Sequence, residues 1–395
     1  MRYAINHYRQ KMPVWENPAY TEYDNPEIIK LHQSIPEYKP SPLMALPDLA
    51  HSVGLGNIYV KDESQRLGLK AFKAMGASYA VYRYIKKHLS EQSKTVPEAP
   101  DFYSSTDILA PGQFTLTTAT DGNHGRAVAW VARKLKQRAV IYMPDDSAEA
   151  RFKNIQSEDA EVVLVKGSYD DAVNKCRADA GLHNRQIISD TAWENYHEIP
   201  NWIVAGYTTL FKEIDAVLAH NQHIDLVILP AGVGSLAASA IWYYNTIHSD
   251  KIIKLVIVEP ELAACLMWSL VENKGNSGCM PDQPESIMAG LCCGTPSPGA
   301  WPIIKDGADL FVTVADRDAR QAMRTYYNPL GNDPQIISGE SGAAGLAALQ
   351  QICRQDSNSE IADFLNLNSN SSILLLNTEG DTDPVNYKRI IDSDG

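Results

Sequence analysis

Short apolar runs alternate with longer amphipathic stretches along most of the chain. The apolar runs, each about five residues long, predict strands at 57–60, 115–119, 139–143, 161–165, 226–230, 254–258, 310–314 and 372–377. The stretches between them predict helices, which include 73–88, 124–136, 147–157, 169–180, 235–247 and 341–354. Because apolar strands joined by helices are typical of parallel sheets covered on both faces, the pattern predicts an α/β fold.

The same pattern predicts two domains, each an open, mostly parallel, twisted sheet flanked by helices. At 395 residues the chain is long enough for both. A change in character near 195–205 marks the passage between them, and we place a large domain at 1–76 plus 197–395 and a small domain at 77–196. The polar, proline-bearing segment 90–112 is predicted as a surface insertion.

Composition and charge exclude several classes of function. The chain is 44% hydrophobic and 21% charged, with a formal net charge of -13, and it has no basic patch to meet phosphates, which argues against a nucleic-acid partner. No apolar run approaches the roughly 18 residues of a membrane-spanning helix. Because the N-terminal segment also lacks the apolar core of a secretory signal, we expect a cytoplasmic protein without a membrane partner.

The cysteines do not have the close paired spacing of a zinc site, and no metal is predicted. They are Cys176, Cys265, Cys279, Cys292, Cys293 and Cys353. The adjacent Cys292 and Cys293 invite a redox interpretation. Reduced, partly buried thiols are the favoured interpretation in a cytosolic chain.

Three features occur in an order that fits pyridoxal phosphate. Lys73 follows Phe72 at the predicted start of a helix, Asn123 lies in the turn 120–125, and the turn 232–235 follows a predicted strand. A lysine amine can hold the aldehyde of the cofactor, and an asparagine side chain can meet its ring oxygen. Consecutive backbone amides at the start of a helix can bind its phosphate.

The turn at 232–235 has a rival interpretation. Its spacing Gly232-x-Gly234-x-x-Ala237 also fits the dinucleotide fingerprint, and Glu259 ends the next strand, in the range expected of a ribose-binding acid. A glycine turn of this kind is also an ordinary strand-to-helix connection. By itself this turn favours a dinucleotide-dependent oxidoreductase and a pyridoxal-phosphate enzyme about equally.

Lys73 favours the pyridoxal-phosphate enzyme. A Schiff-base lysine must be partly desolvated to act as a nucleophile, and Lys73 is flanked by Phe72 and by Ala74-Met75. Lys70, three residues earlier, is expected to be more solvated. An isolated lysine would more often be one surface lysine among many, so the order of all three features carries the prediction.

Four polar residues near these turns have both a chemical and a structural interpretation. Asp121 could move a proton at a substrate or only cap a helix, and Asp190 has the same ambiguity. His124 is more often a packed helix-start histidine than a catalyst. Thr378, after the strand 372–377, could meet a pyridine nitrogen or cap a turn. A non-catalytic amino-acid-binding protein therefore also stays open at this point.

Several strings of residues together resemble the tryptophan synthase β-like, fold type II pyridoxal-phosphate enzymes, and in particular the diaminopropionate ammonia-lyases. The resemblance extends from about residue 35 to 388, and many strings agree in order. The strings are Pro40-Ser41-Pro42-Leu43, Tyr59-Val60-Lys61-Asp62-Glu63, Phe72-Lys73, Thr120-Asp121-Gly122-Asn123-His124-Gly125-Arg126, Asp190-Thr191-Ala192-Trp193-Glu194, Ile287-Met288-Ala289-Gly290-Leu291, Gly331-Asn332-Asp333-Pro334, Ile337-Ser338-Gly339-Glu340-Ser341-Gly342 and Thr378-Glu379-Gly380-Asp381-Thr382-Asp383.

The resemblance implies how the cofactor is bound. Lys73 would hold pyridoxal 5'-phosphate as a Schiff base, Asn123 would bond the ring 3-oxygen, and Thr378 would meet the pyridine nitrogen. The large domain would bind the cofactor, and the small domain would lie on the substrate side. The phosphate would be held by Gly232, Val233, Gly234, Ser235 and Leu236.

The resemblance also implies the reaction, an α,β-elimination of ammonia from 2,3-diaminopropionate that yields pyruvate and ammonia. Lys73 and Asp121 would serve opposite faces of the substrate, so that both D and L forms react, and Asp190 would bind the departing ammonium. The substrate-binding residues would be Thr120, Asp121, His124 and Asp190. Serine and threonine dehydratases usually have a small residue at the position of Asp121, so Asp121 favours a diamine, although another β-substituted amino acid stays open.

Two further properties are implied by the resemblance alone. Relatives of this kind are homodimers, so a homodimer is expected. Cys265 and Cys293 fall where a family disulfide could form, and the neighbouring Cys292 leaves the pairing open.

Overall fold

A computed structural model describes residues 1–10, 18–105, 109–120, 122–218, 222–354 and 359–393. The strands within this part of the chain are β1 Tyr3–Ile5, β2 Leu43–Ala45, β3 Asn57–Asp62, β4 Thr115–Ala119, β5 Arg138–Pro144, β6 Glu161–Val165, β7 Gln186–Ile187, β8 Leu226–Pro230, β9 Lys254–Pro260, β10 Leu310–Val314 and β11 Ser372–Asn377.

The α-helices of the described residues lie mostly between the strands. They are α1 Glu27–Gln33, α2 Pro47–Ser52, α3 Lys73–Glu91, α4 Asn123–Lys134, α5 Glu149–Gln156, α6 Tyr169–His183, α7 Glu198–Gly206, α8 Thr208–Val217, α9 Ser235–Thr246, α10 Cys265–Val271, α11 Trp301–Gly307, α12 Asp316–Tyr327, α13 Ala344–Ile352, α14 Ser359–Phe364 and α15 Pro384–Asp392. Short 3₁₀ helices occur at Pro18–Asp24, Arg66–Gly68, Ala99–Asp101 and Ala289–Leu291.

The chain forms two compact units. The larger unit combines Met1–Glu16, Ser41–Gln65 and Leu210–Gly395, and the smaller unit combines Asn17–Pro40 and Arg66–Thr209. This division differs from the predicted boundaries, because segments 17–40, 66–76 and 197–209 belong to the smaller unit. The alternation of apolar and polar residues shows what each segment forms, but not which sheet a helix packs against.

The larger unit is built on a sheet with the strand order β1-β10-β9-β8-β11-β3-β2 among the described residues. Its inner strands are parallel, and the two edge strands, β1 and β2, are antiparallel to their neighbours. Strands β8, β10 and β11 are buried along their whole length. Continuous burial explains why their sequences are uniformly apolar rather than alternating.

The smaller unit is built on a parallel sheet with the order β6-β5-β4-β7 in the described part of the chain. Helix α3 packs on helix α7 through two glycines. A Cβ atom on Gly76 would lie 2.6 Å from Cε1 of Tyr207, and one on Gly206 would lie 2.5 Å from the carbonyl oxygen of Met75. The two helices therefore approach closely enough to exclude any larger side chain at these positions.

The predicted α/β fold class, with mostly parallel sheets flanked by helices, is confirmed. Most described residues of segment 90–112 are exposed, as expected of a surface insertion. Phe102 and Tyr103 are buried exceptions, and the ring of Phe102 packs edge-on against Tyr82 of α3, 4.9 Å between centroids. Within the described residues, no helix is long and apolar enough to cross a membrane.

Candidate active site

Lys73 is the first residue of α3, where the sequence placed it. Its Nζ lies 5.3 Å from the centroid of the Phe72 ring, and that ring packs against Tyr207 with centroids 4.8 Å apart. Its side chain is 17% exposed. The close contact of α3 with α7 fixes the first turn of α3, so the amine has a defined position in a partly desolvated setting.

The amine of Lys73 forms an ion pair with Asp190. Its Nζ donates to Oδ2 of Asp190 at 2.5 Å, although the two residues are 117 positions apart in sequence. Burial works to raise the pKa of the Asp190 carboxyl, but the charge and the hydrogen bond of Lys73 hold that pKa well below its usual range. Asp190 is therefore a carboxylate at neutral pH, as a cation-binding residue must be.

The loop that carries Asp190 is held by Tyr196. The Tyr196 hydroxyl accepts from the Ser189 amide at 2.9 Å and donates to the Ile187 carbonyl at 3.0 Å. Its ring stacks on Trp193 with centroids 3.9 Å apart. These contacts fix the position of a carboxylate that lies outside regular secondary structure.

His124, in the first turn of α4, completes this cluster in the smaller unit. Its Nε2 lies 2.8 Å from the Ile188 carbonyl oxygen, and its Nδ1 lies 4.0 Å from Oδ2 of Asp190. Burial lowers the pKa of the His124 imidazole, Asp190 acts in the opposite direction, and Lys73 lowers it further. The smaller unit thus brings together three predicted site residues from three separate segments.

The turn before α4 is capped by a threonine. Oγ1 of Thr120 accepts from the amides of Gly122 and Gly125 at 2.9 and 3.0 Å, and Gly122 has a φ of 152°. This arrangement holds Asn123 at the first position of α4. Asp121, predicted as the second base, lies outside the described residues.

The glycine turn that was predicted to bind a phosphate lies in the larger unit between β8 and α9. Gly234 has a φ of 99°, and a Cβ atom on Gly232 would lie 2.9 Å from Sγ of Cys293 and 3.2 Å from the Gly290 carbonyl oxygen. Helix α9 begins at Ser235 without a side-chain cap. A tight glycine turn that opens an uncapped helix suits the binding of a phosphate by backbone amides.

Thr378 is buried directly after β11, in the same unit as this turn. The segment that begins at Thr378 is linked to the glycine turn through Glu379, Ser341 and Gly290. These residues belong to strings that carry the resemblance. The Ser341 amide donates to Oε1 of Glu379 at 3.1 Å, and the Gly290 amide donates to Oγ of Ser341 at 3.1 Å. Three of the strings that carried the resemblance therefore meet beside the glycine turn.

Glu259 has a structural role that contradicts the dinucleotide interpretation. Its two carboxyl oxygens accept from the amides of Leu266 and Met267 at 2.7 and 2.8 Å, and the residue is fully buried. A side chain that caps α10 from the interior is not placed to bind a ribose. The acidic residue at the end of β9 had the right spacing for the fingerprint, but spacing alone does not show where its side chain points.

The cysteines of the described residues are thiols in the structure. Sγ of Cys265 lies 3.6 Å from the Gly232 carbonyl oxygen, which accepts its hydrogen bond. Ala264 and Cys293 form an isolated parallel bridge. Burial raises the pKa of the Cys265 thiol well above its ordinary value, and Glu259 and Cys293 add to this. The predicted pairing of Cys265 with Cys293 stays a prediction.

The residues present fit pyridoxal phosphate. A partly buried lysine amine at a fixed helix start suits the aldehyde of the cofactor. A glycine turn where any side chain on Gly232 would collide with its neighbours suits its phosphate. The sequence model described as pyridoxal-phosphate dependent enzyme matches residues 35–362. The chain belongs to this family of pyridoxal-phosphate dependent enzymes, so pyridoxal phosphate is its cofactor.

Within this family the chain is similar to diaminopropionate ammonia-lyases over nearly its whole length. The curated relative from Escherichia coli (strain K12) is 38% identical over 378 residues, which cover 95% of this chain and 93% of the relative. The crystal structure of the holo enzyme from Escherichia coli matches with a TM-score of 0.90 at 36% identity, covering 99% of this chain and 96% of that one.

A second crystal structure of the Escherichia coli enzyme contains an aminoacrylate-PLP azomethine reaction intermediate. It matches with a TM-score of 0.87 at 36% identity, over 99% of this chain and 96% of that one. The resemblance, the fold type II architecture and the cofactor predicted from the sequence are therefore confirmed. The oxidoreductase alternative is wrong.

Proposed function

We propose that this protein eliminates ammonia from 2,3-diaminopropionate. One molecule of substrate and one of water yield one pyruvate and two ammonia. The observation that carries the proposal is the cluster of Lys73, His124 and Asp190, in which a carboxylate already binds an ammonium group at 2.5 Å. The similarity to diaminopropionate ammonia-lyases over 95% of the chain supports it.

Four groups of residues would hold the cofactor. Lys73 would bind its aldehyde carbon, Asn123 its ring oxygen, and Thr378 its pyridine nitrogen, while the amides of residues 232–236 would bind its phosphate. The cofactor supplies an electron sink that makes the α-hydrogen of a bound amino acid acidic. We place the cofactor-binding function chiefly in the larger unit and the substrate side in the smaller one.

The α-proton would be removed by a base on either face of the substrate. The amine of Lys73 would take it on one face, because a lysine released from its covalent role is a base beside Cα. Asp121 would take it on the other face, which would let both enantiomers react.

Asp190 would bind the β-ammonium group. An amine is a poor leaving group unless it is protonated, so the site must keep the β-nitrogen charged until the Cβ–N bond breaks. A buried carboxylate whose pKa lies below its usual range stays ionised and stabilises that charge. The ion pair that Asp190 makes with Lys73 supports this role. The side-chain ammonium of Lys73 has the same charge and the same N–H donors as the β-ammonium of the substrate.

A substrate panel tests the proposal. Purified holoenzyme is assayed for pyruvate and ammonia with D- and L-diaminopropionate and with D- and L-serine. The expected result is two ammonia per pyruvate from at least one diaminopropionate enantiomer, at a kcat/KM well above that for serine. Activity on serine with no pyruvate from either diaminopropionate would move the assignment to a dehydratase acting on a β-hydroxyl.

The two-base division is tested separately with Asp121→Asn. We expect this variant to lose more activity on one enantiomer than on the other. Equal loss on both would contradict the division without affecting the substrate assignment.

The proposal includes a homodimer in the cytoplasm, as expected from the resemblance and from the sequence. Light scattering coupled to gel filtration tests the homodimer, and a mass equal to one chain would contradict it.

A thiol count in denaturant with and without reductant tests the pairing of Cys265 with Cys293, and an unchanged count would dismiss this pairing.

A further inference from the structure

The protonation of His124 can be read from its surroundings. Its Nε2 lies 2.8 Å from the carbonyl oxygen of Ile188. A carbonyl oxygen only accepts hydrogen bonds, so Nε2 must carry the hydrogen and donate. The residue is 5% exposed, and solvent offers no substitute for this contact.

The other ring nitrogen, Nδ1, is buried and has no hydrogen-bond partner among the described residues. It lies 4.0 Å from Oδ2 of Asp190, beyond hydrogen-bond distance. If Nδ1 also carried a hydrogen, a buried donor would be left unpaired beside a carboxylate it does not reach. Burial also lowers the pKa of the imidazole. His124 is therefore neutral, and Nδ1 presents a lone pair.

A buried acceptor without a partner calls for a ligand that donates. The groups that face Nδ1 are the carboxylate of Asp190 and the ammonium of Lys73, the pair that forms the ammonium-binding site. A second acceptor beside a carboxylate is useful only to a group with more than one N–H donor, and an ammonium group has three.

We infer that Nδ1 of His124 accepts a hydrogen bond from the β-ammonium group of the substrate while Asp190 accepts another. This inference rests on the proposed function and makes His124 a specificity-determining residue of the same site. A β-hydroxyl, which has a single hydrogen to donate, cannot satisfy both acceptors. His124 therefore favours a diamine over serine.

The chemistry leaves His124 unchanged. The pair of electrons released from the Cα–H bond forms the Cα–Cβ double bond, and the Cβ–N bond breaks with its electron pair on nitrogen. The β-ammonium leaves as neutral ammonia, so neither Asp190 nor His124 gains or loses a proton. A neutral imidazole with its hydrogen on Nε2 meets this requirement before and after the step.

The tautomer is tested by NMR without any turnover. Long-range ¹H–¹⁵N correlation spectra of histidine-labelled protein distinguish the two neutral tautomers and the imidazolium, and the signals of His124 are assigned by their loss in His124→Gln. We expect the Nε2–H pattern at pH 7 to 8. A pattern with hydrogen on Nδ1, or on both nitrogens, would overturn the inference.

The acceptor role is tested with His124→Gln. The amide nitrogen of glutamine can take the place of Nε2 and donate to Ile188, but glutamine has no acceptor at the position of Nδ1. Two substrates are compared, diaminopropionate and β-chloroalanine, which has no β-ammonium and loses chloride. Because a hydrogen bond to a charged group contributes roughly a factor of ten to a hundred, kcat/KM for diaminopropionate should fall at least tenfold more than kcat/KM for β-chloroalanine.

His32, another buried histidine of the smaller unit, provides a matched control. Both of its ring nitrogens have partners: Nδ1 lies 2.7 Å from Oγ1 of Thr209, and Nε2 lies 2.8 Å from the Met75 carbonyl oxygen. His32→Gln should leave the ratio of the two kcat/KM values unchanged. Equal losses on both substrates in His124→Gln would mean a structural role only and would overturn the inference. If the wild-type enzyme makes no pyruvate from diaminopropionate, the proposed function fails, while the NMR result still decides the tautomer.

Discussion

At the scale of single residues, the site depends on side chains whose neighbours are distant in sequence. Lys73 could be predicted, because an aromatic residue, a helix start and two later glycine turns occur in a fixed order. Its ion pair with Asp190 could not be predicted from the residues alone, because nothing in the local sequence shows that the loop after β7 reaches the start of α3. The residues alone left His124 with two interpretations, and the resemblance implied a substrate-binding role; its contact with Ile188 decides the tautomer.

Gly232 gives a prediction at this scale. In Gly232→Ala, the new Cβ would lie 2.9 Å from Sγ of Cys293 and 3.2 Å from backbone atoms of Gly290 and Leu291, so the turn must shift by several tenths of an ångström. We expect the affinity for pyridoxal phosphate to fall tenfold or more, because misplaced amides bind the phosphate poorly. Fluorescence titration of apoenzyme with the cofactor measures this change.

The control for that variant is Gly181→Ala. Gly181 lies in α6, and a Cβ atom there has nothing within 4 Å. Alanine is favoured over glycine in a helix by about 0.5–1 kcal/mol, so stability should rise slightly while the affinity for the cofactor stays the same. Equal affinities of wild type and Gly232→Ala for pyridoxal phosphate would contradict a phosphate-binding role for this turn.

Glu259 predicts a dependence of stability on pH. Burial raises the pKa of its carboxyl to about 8, against the amide hydrogen bonds from Leu266 and Met267, which favour the charged form. Since the folded pKa lies above that of the unfolded chain, about 4.3, folding binds a proton. The contribution of this proton to the free energy of unfolding is fully present below about pH 4.3 and is lost as the pH rises through about 8.

Urea unfolding between pH 5 and 9 tests this expectation against Glu259→Gln, which stays neutral at every pH. The free energy of unfolding of wild type should fall relative to that of the variant as the pH rises. Parallel curves would show that Glu259 is charged in the folded protein.

At the scale of elements, the sequence located the longer strands well and the short ones poorly. Strands β4, β6, β8, β10 and β11 coincide with predicted runs because each is rich in apolar or β-branched residues and lies between helical stretches. Strands β1, β2 and β7 were missed, since two or three residues show no periodicity. Helix α7 was missed because nearly all its side chains are buried, so it lacks the amphipathic pattern by which a surface helix is found.

The crossing of α3 and α7 gives a prediction at this scale. In Gly76→Ala, the new Cβ would lie 2.6 Å from Cε1 of Tyr207 and 2.8 Å from the Ile203 carbonyl oxygen. The helices must separate, and overpacking of this kind costs about 1–3 kcal/mol. Because Lys73 lies one turn before Gly76, activity should fall as well. Urea unfolding and kcat measure the two effects.

Gly345→Ala is the matched control for the helix crossing. Gly345 lies in the buried helix α13, but a Cβ atom there meets its nearest neighbour at 3.8 Å, which is ordinary contact. We expect unchanged or slightly higher stability. Equal destabilisation by both substitutions would show that helix burial, rather than the glycine contact, sets the effect.

At the scale of the whole molecule, the chain passes between its two units several times. The sequence predicted two α/β units, but not that 17–40 and 66–76 join the smaller one, because hydrophobic periodicity shows the type of an element and not its partner. As a result, Lys73 lies in the smaller unit, although it was placed in the large domain.

Removal of the cofactor gives a prediction at this scale. A ligand that binds only the folded protein stabilises it by about 2.7 kcal/mol at a hundredfold excess over Kd. Protein stripped of pyridoxal phosphate should unfold at a lower temperature, and added cofactor should restore the original value in a concentration-dependent way. Scanning calorimetry measures this shift, and identical unfolding temperatures would contradict it.

The central claim is that Lys73 holds pyridoxal phosphate as a Schiff base. Reduction of the yellow holoenzyme with borohydride fixes the cofactor on its lysine, and peptide mass spectrometry locates the modified residue. We expect loss of the visible absorption and a single modified peptide with the label on Lys73. A label on Lys70 or on any other lysine, or a colourless protein that takes up no label, would contradict it.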